Sequence, residues 1–129
     1  MFRGEEVLLI RRGRAPSLGL WAIPGGSVEL GETLRHAAER EVREETGVEI
    51  RATSIVYTFD VIERDDSGRV SHHYVIVDFL AEWIAGEPRA ADDAVDAAWF
   101  HVEKLDTLAI SPETLRLVRR LRSSGSERD

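Results

Sequence analysis

The 129-residue sequence contains no cysteine and no long apolar run. Without cysteine, disulfide bonds, thiol catalysis and soft thiolate metal sites are excluded. The longest apolar run near the N-terminus is Val7–Ile10, which is too short for a signal peptide or a membrane span. We therefore expect a cytoplasmic protein that has no membrane partner.

Basic residues are fewer than acidic ones: 17 Lys and Arg against 24 Asp and Glu give a net charge of −7. Such a charge argues against binding to a polyphosphate backbone, so we expect no nucleic-acid partner. It is compatible with an acidic metal site that admits small anions together with their cations. The length and the 43% hydrophobic content predict a single globular domain over residues 1–122 and a polar C-terminal tail over 123–129.

Three glutamates lie on one predicted helix. The segment Thr33–Thr46 contains neither Pro nor Gly, begins with a good N-cap residue and is followed by Gly47. At about 100° per residue, Glu41 and Glu45 project into the middle of the apolar face, and Glu44 lies at its edge. Carboxylates on the inward face of a helix must be paired, protonated or bound to a metal.

Two interpretations of these glutamates are open from the helix alone. In the first, the helix is an ordinary surface helix whose acids pair with neighbouring arginines, and Arg40 has the right spacing to bridge Glu44. One arginine cannot balance three acids, however, and Arg43 points away from them. In the second interpretation, the acids bind a metal ion.

The residues before the helix favour the metal. Gly25 and Gly26 allow the backbone to approach a ligand closely. From Gly26 the chain has five residues, then Glu32, then seven residues, and then the run Arg40–Val48, read as Arg-Glu-Val-Arg-Glu-Glu-Thr-Gly-Val. This pattern resembles the Nudix box, the signature of the Nudix hydrolases, at every specified position.

The resemblance implies an oxygen-ligand site for Mg²⁺ or Mn²⁺. Four ligands are implied by position: the carbonyl of Gly25 and the carboxylates of Glu41, Glu44 and Glu45. Glu41 is implied either as a ligand or as the base that deprotonates the attacking water. Arg40 is implied to orient Glu44, and Glu32 to brace the junction between loop and helix.

Nudix enzymes hydrolyse a nucleoside diphosphate linked to another group. The chain most resembles compact bacterial proteins of the ADP-ribose pyrophosphatase type, which implies AMP and ribose 5-phosphate as products. A proline that many ADP-ribose hydrolases carry about fifteen residues after the box is absent here. Two alternatives stay open: a nucleoside triphosphate pyrophosphohydrolase, and a ligand-sensing domain that binds ADP-ribose without cleaving it.

Four candidate substrate-binding residues lie outside the box: Arg11, Trp21, His73 and Asp93. Each of the last three has a plainer interpretation. Trp21 can belong to the core rather than stack on a base, and His73 can be half of a solvated histidine pair rather than a phosphate ligand. Asp93 can belong to a solvated acidic loop rather than supply a ligand or the base.

Strand and helix patterns alternate along the chain and predict an α/β fold. Strands are expected at Glu6–Arg12, Ile50–Arg64, Arg69–Ile84 and Val95–Phe100, with a second helix beginning at Ser111–Glu113. The apolar stretch Tyr74–Val77 predicts a strand covered on both faces.

The resemblance implies the Nudix α/β/α sandwich with a mixed β-sheet. Relatives usually have a further strand before Phe2–Gly4, and only Met1 and Phe2 correspond to it here, so the N-terminal strand is expected to be truncated. A shortened strand exposes a sheet edge. Many relatives form homodimers, and an exposed edge would allow this chain to form one as well.

Overall fold

The computed structural model of the protein describes residues 1–13 and 18–128, with side chains as far as residue 122. The elements, in chain order, are β1 Phe2–Arg3, β2 Glu6–Arg12, β3 Trp21–Ala22, α1 Leu34–Thr46, β4 Glu49–Arg64, β5 Val70–Ala85, β6 Ala94–His101, a 3-10 segment Val102–Thr107 and α2 Pro112–Arg128. The predicted strands and helices are confirmed to within one or two residues at most ends. Helix α2 continues past residue 122, and the domain boundary expected there stays a prediction.

Strand β2 is the centre of the main sheet. Its whole length pairs with β6 along one edge. The other edge pairs with β1 at the start of the strand and with β3 at its end. All these pairings are antiparallel. The parallel component expected of a mixed sheet is confined, in the described part of the chain, to an isolated bridge between Trp21 and Ile110.

The alternation of side chains along β2 produces the layers of the fold. Val7 and Leu9 point to one face and pack with Val118 of α2. Leu8 points to the opposite face and packs with Val42 of α1. A strand that is covered on both sides needs apolar residues at consecutive positions, and the run Val7–Ile10 provides them.

Strands β4 and β5 form a long antiparallel hairpin. Its turn is held by Asp65, whose carboxylate accepts hydrogen bonds from the backbone N–H groups of Ser67 and Arg69. The expectation that both faces of Tyr74–Val77 are covered was wrong, since Tyr74 is exposed and Val75 is 67% exposed. The described residues therefore leave this part of the hairpin open to solvent.

Helix α1 is terminated at both ends as its sequence predicts. The Thr33 hydroxyl accepts a hydrogen bond from the His36 N–H, and Gly47 adopts a left-handed conformation with φ 74°. The loop before β6 returns to this helix end, where the N–H of Ala91 donates to the carbonyl of Glu45 at 3.0 Å. This bond satisfies a terminal helix carbonyl and fixes the loop beside the glutamates. Among the residues described, no helix is long and apolar enough to cross a membrane.

Candidate active site

Glu45 lies at the centre of the candidate site, in the last turn of α1. Its side chain is almost completely buried, at 4% exposure. The backbone N–H of Gly25 donates to the Glu45 carboxylate at 3.1 Å. The diglycine loop is therefore attached directly to the glutamate helix.

Gly26 lies against Glu41. A Cβ atom added at Gly26 would overlap both carboxylate oxygens of Glu41, well inside 3.0 Å. By contrast, a Cβ atom at Gly25 would meet nothing within 4 Å. The second glycine is thus required by the close approach of the Glu41 carboxylate, whereas the first faces open space.

Arg40 connects the acidic side chains. Its guanidinium donates two hydrogen bonds to Glu32, at 2.7 and 2.9 Å. It also donates to Glu41 at 2.8 Å, to Glu44 at 3.0 Å and to the carbonyl of Ser27 at 2.8 Å. The planar, multidentate guanidinium suits this arrangement in a way that an ammonium would not. Arg40 contacts Glu44, as the resemblance implies, and orients Glu41 as well.

Glu32 braces the loop against α1. Besides its two bonds to Arg40, it accepts a hydrogen bond from the N–H of Glu29 at 3.0 Å. The bonds from Arg40 and from this N–H lower the pKa of Glu32 to about 2. Glu32 is therefore ionised and committed to Arg40, which agrees with a bracing role.

Burial raises the pKa of Glu45 to about 7, and the neighbouring carboxylate of Glu41 contributes in the same direction. The N–H of Gly25 and the positive charge of Arg12 act in the opposite direction. Two carboxylates this close, one of them buried, repel each other unless a proton or a cation lies between them.

Arg12 is a site residue that the sequence analysis missed. The sequence analysis selected Arg11, which is exposed and donates to the carbonyl of Gly19 at 3.3 Å. The charge of Arg12 instead acts on Glu45. The alternation of side chains along β2 could have identified Arg12. In a strand, Arg12 lies on the same face as Leu8 and Ile10, and Leu8 packs on α1.

The donor atoms of the site are suited to a hard divalent cation. Glu41 and Glu45 lie against the diglycine loop, and Glu44 is bonded to the same arginine as Glu41. Such oxygen ligands suit Mg²⁺ or Mn²⁺. Within the described ranges no three His, Asp or Glu side chains are already in ligand geometry. Arg40 donates hydrogen bonds to oxygens of Glu41 and Glu44. The ligand roles of these glutamates, and of the Gly25 carbonyl, stay predictions.

The candidate residues outside the box are dispersed. Asp93 lies in the loop that Ala91 attaches to Glu45, and its carbonyl accepts from the N–H of Gly13 at 2.9 Å. His73 is exposed on the hairpin and pairs with Asp60 at 2.9 Å. The structure therefore brings the Asp93 loop to the site and places His73 on a solvated surface.

Trp21 packs in the core. Its ring is edge-to-face with Phe100 at 4.7 Å between centroids, beside the cluster that contains Leu9 and Val118. This packing is the plainer of the two interpretations of Trp21. A role of Trp21 in substrate binding is not supported by any contact described here and stays a prediction.

Comparison with known proteins gives the family. A profile of the NUDIX domain matches residues 1–121, so the chain belongs to the NUDIX domain family. An ADP-ribose pyrophosphatase of Methanocaldococcus jannaschii is 36% identical over 113 residues, which are 88% of this chain and 64% of that relative. The human 8-oxo-dGDP phosphatase NUDT18 is 32% identical, over 88% of this chain and 34% of its own length.

Solved structures confirm the predicted α/β/α fold class. The MutT NUDIX hydrolase of Burkholderia pseudomallei superposes with a TM-score of 0.76 at 30% identity, over 92% of this chain and 90% of that one. The NUDIX domain of Shewanella oneidensis NrtR, complexed with ADP ribose, has a TM-score of 0.72 at 25% identity, over 92% and 77%. The chain spans 64% of the M. jannaschii relative and about a third of the human one.

The two glycines of the loop provide a matched pair of variants. In Gly26→Ala the new methyl group displaces the Glu41 carboxylate and weakens its bond to Arg40, so we expect the metal-free protein to lose about 1–2 kcal/mol of unfolding free energy. Gly25→Ala meets open space and should change it by less than about 0.5 kcal/mol. Urea denaturation in EDTA measures both values. Equal losses in the two variants would contradict the contact with Glu41.

The buried Glu45 predicts a pH-dependent stability of the metal-free protein. Its folded-state pKa of about 7 lies above the ordinary value of 4.5, so the folded state binds the proton more tightly. The resulting stabilisation is complete below about pH 4.5 and is lost as the pH rises through 7, by up to about 3 kcal/mol. We expect Glu45→Gln to flatten this part of the profile, measured by urea denaturation in EDTA between pH 5 and 8. The same slope in wild type and variant would refute the assignment.

Proposed function

We propose that this chain hydrolyses a phosphoanhydride bond in a nucleoside diphosphate linked to another group, with Mg²⁺ or Mn²⁺ as cofactor. The observation that carries the proposal is the contact of Glu41 and Glu45 with the diglycine loop, with Glu44 joined to Glu41 through Arg40. Two adjacent carboxylates, one of them buried, are unfavourable unless a proton or a cation lies between them, and a dication would meet that need. The named relatives support the same reaction class.

ADP-ribose is the substrate that we propose, with AMP and ribose 5-phosphate as products. One relative is named an ADP-ribose pyrophosphatase, and the NrtR domain was crystallised with ADP ribose. The second candidate is the hydrolysis of a normal or oxidised nucleoside triphosphate to release pyrophosphate, and the relative named 8-oxo-dGDP phosphatase supports an oxidised nucleotide as substrate. Binding of ADP-ribose without cleavage is the third.

Acidic and basic residues of the site have different roles in the proposed reaction. Glu41, Glu44 and Glu45 would hold the dication, which would supply positive charge to the phosphate oxygens and increase the acidity of a bound water. Arg40 keeps the carboxylates of Glu41 and Glu44 in place, and its own position is set by Glu32. A metal ion would compete with Arg40 for these carboxylates, while the two bonds to Glu32 keep the guanidinium beside them.

Two further groups act on charge and proton transfer. Arg12 carries positive charge on the same side of the sheet as Glu45, where it attracts an anionic substrate. We propose Glu41 as either a metal ligand or the base that accepts the proton of the attacking water. Asp93 is the alternative base, because its loop is attached to the end of the same helix.

Neutralising a single ligand should nearly abolish turnover. We expect Glu44→Gln and Glu45→Gln each to lower kcat at least about 100-fold in Mg²⁺, because a lost ligand costs several kcal/mol of transition-state stabilisation. Glu63→Gln, on the exposed part of the hairpin, is the matched control and should retain wild-type turnover. Circular dichroism confirms that each variant is folded. Wild-type turnover in the two site variants would disprove the ligand assignment.

A substrate panel distinguishes the three candidates. The protein and Mg²⁺ are incubated with ADP-ribose, dinucleoside polyphosphates, sugar nucleotides and dNTPs, and the products are separated by chromatography. AMP without pyrophosphate supports the ADP-ribose proposal, and pyrophosphate supports the triphosphate alternative. Binding of ADP-ribose by calorimetry, with no product formed, identifies a ligand-sensing domain and refutes catalysis.

A further inference from the structure

Helix α1 makes a second polar contact, on a face that lies at least about 120° around the helix axis from Glu41 and Glu44. The side chains of Arg35 and Glu39 are one turn apart on this face, and both reach Ala52 of β4. The Arg35 guanidinium donates to the Ala52 carbonyl at 2.9 Å, and the Ala52 N–H donates to the Glu39 carboxylate at 2.9 Å. The helix thus bonds both backbone groups of one strand residue.

Ala52 is a point of β4 that needs such partners. In an antiparallel pair, alternate residues direct both backbone groups away from the partner strand. Ala52 lies opposite Ala81 of β5, and it is only 1% exposed. Loss of the bonds to α1 would therefore leave buried polar groups without a partner. The register of the hairpin shifts directly after Ala52, where the Thr53 hydroxyl donates to the Leu80 carbonyl at 3.0 Å.

Apolar packing contributes little to the placement of α1. Among the 13 described residues of this helix, the buried apolar ones are Ala37 and Val42 alone. Leu34 is 45% exposed. A surface helix of a globular protein ordinarily directs about three or four apolar side chains per two turns to the core. The rotation of α1 about its axis must therefore depend on polar contacts.

The polar contacts of α1 differ in what a bound cation would do to them. Arg40 and the N–H of Gly25 are bonded to the carboxylates of the candidate site itself, and a cation would compete with them there. The bonds of Arg35 and Glu39 to Ala52 involve none of these carboxylates. They can therefore hold the helix in the same orientation with and without the ion.

We propose that Arg35 and Glu39 are positioning residues, which fix the rotation of α1 through Ala52 and thereby direct Glu41 and Glu45 towards the diglycine loop. The consequence for turnover rests on the proposed function, whereas the placement of the carboxylates does not. A rotation of about 10° moves a carboxylate that lies about 6 Å from the helix axis by about 1 Å. A displacement of this size can lower a rate by about 100-fold.

Hydrogen exchange in EDTA, followed by NMR, tests the positioning without metal or substrate. Glu39→Ala removes the acceptor of the Ala52 N–H, while alanine favours the helix. We expect this N–H to exchange at least about 10-fold faster. The N–H of Gly25, which is bonded to Glu45 across the helix, should exchange at least about threefold faster. Both increases are measured against the N–H of Leu9, which is fully buried and reports global unfolding.

Three variants separate the hydrogen bonds from charge and from general effects on the helix. Glu39→Gln also removes the negative charge but retains an oxygen that accepts from Ala52, so both amides should exchange within about twofold of wild type. Arg35→Ala removes the donor to the Ala52 carbonyl and should resemble Glu39→Ala. Arg43→Ala, on the exposed side of the same helix, should behave as wild type.

Metal affinity connects the positioning to the proposed function. The EPR signal of free Mn²⁺ gives the dissociation constant, which should rise about 10-fold in Glu39→Ala, with a similar loss of kcat, because the ligands are displaced. Glu39→Gln should keep the wild-type values. A smaller folded fraction would instead lower the number of Mn²⁺ sites and leave their dissociation constant unchanged.

Several results would overturn the positioning role. They are unchanged exchange at Gly25 in Glu39→Ala, equal acceleration at Leu9, or the same acceleration in Glu39→Gln. If Glu39→Ala fails to fold, Arg35→Ala decides by the same comparison. If exchange changes as expected but the wild type binds no Mn²⁺ or cleaves no substrate, the proposed function fails and the positioning stands. Turnover by the wild type without acceleration at Gly25 in the variants removes only the positioning role.

Discussion

The ion-pair cluster around Arg40 is the interaction on which the rest of the site depends. One guanidinium, 14% exposed, contacts Glu32, Glu41 and Glu44 and the backbone of Ser27. It thereby joins the loop to the helix and places two carboxylates. Because the pair with Glu32 is short and doubly bonded, we expect it to persist when a metal ion competes for Glu41 and Glu44.

The cluster works only because the fold holds the helix and the loop rigidly. Alternating residues of β2 bury Leu8 against α1 and Leu9 against the core beside α2. Two loops are attached to the last turn of α1: the diglycine loop to the Glu45 carboxylate, and the loop before β6 to the carbonyls of Glu45 and Thr46. Glu45 is consequently buried as an acid rather than released to solvent, which is energetically unfavourable without a cation. The unfavourable burial of this carboxylate therefore lies where a dication would offset it.

The geometry of the site is consistent with membership of the NUDIX domain family. The family gives the reaction class, and the structure gives the reasons for particular residues, such as the need for glycine beside Glu41. Substrate choice depends on surfaces outside the box.

The sequence alone determined the local features. The caps of α1, the convergence of Glu41, Glu44 and Glu45 on one side and the glycine next to them follow from the spacing of neighbouring residues, which a helix or a turn converts directly into geometry. Contacts between distant segments were decided by the tertiary structure.

Packing left Val75 exposed and paired Tyr57 with Asp78 across the hairpin. These outcomes depend on strand register and on which element lies over which face. Neither is encoded in the spacing of adjacent residues, and only the packed fold resolves them.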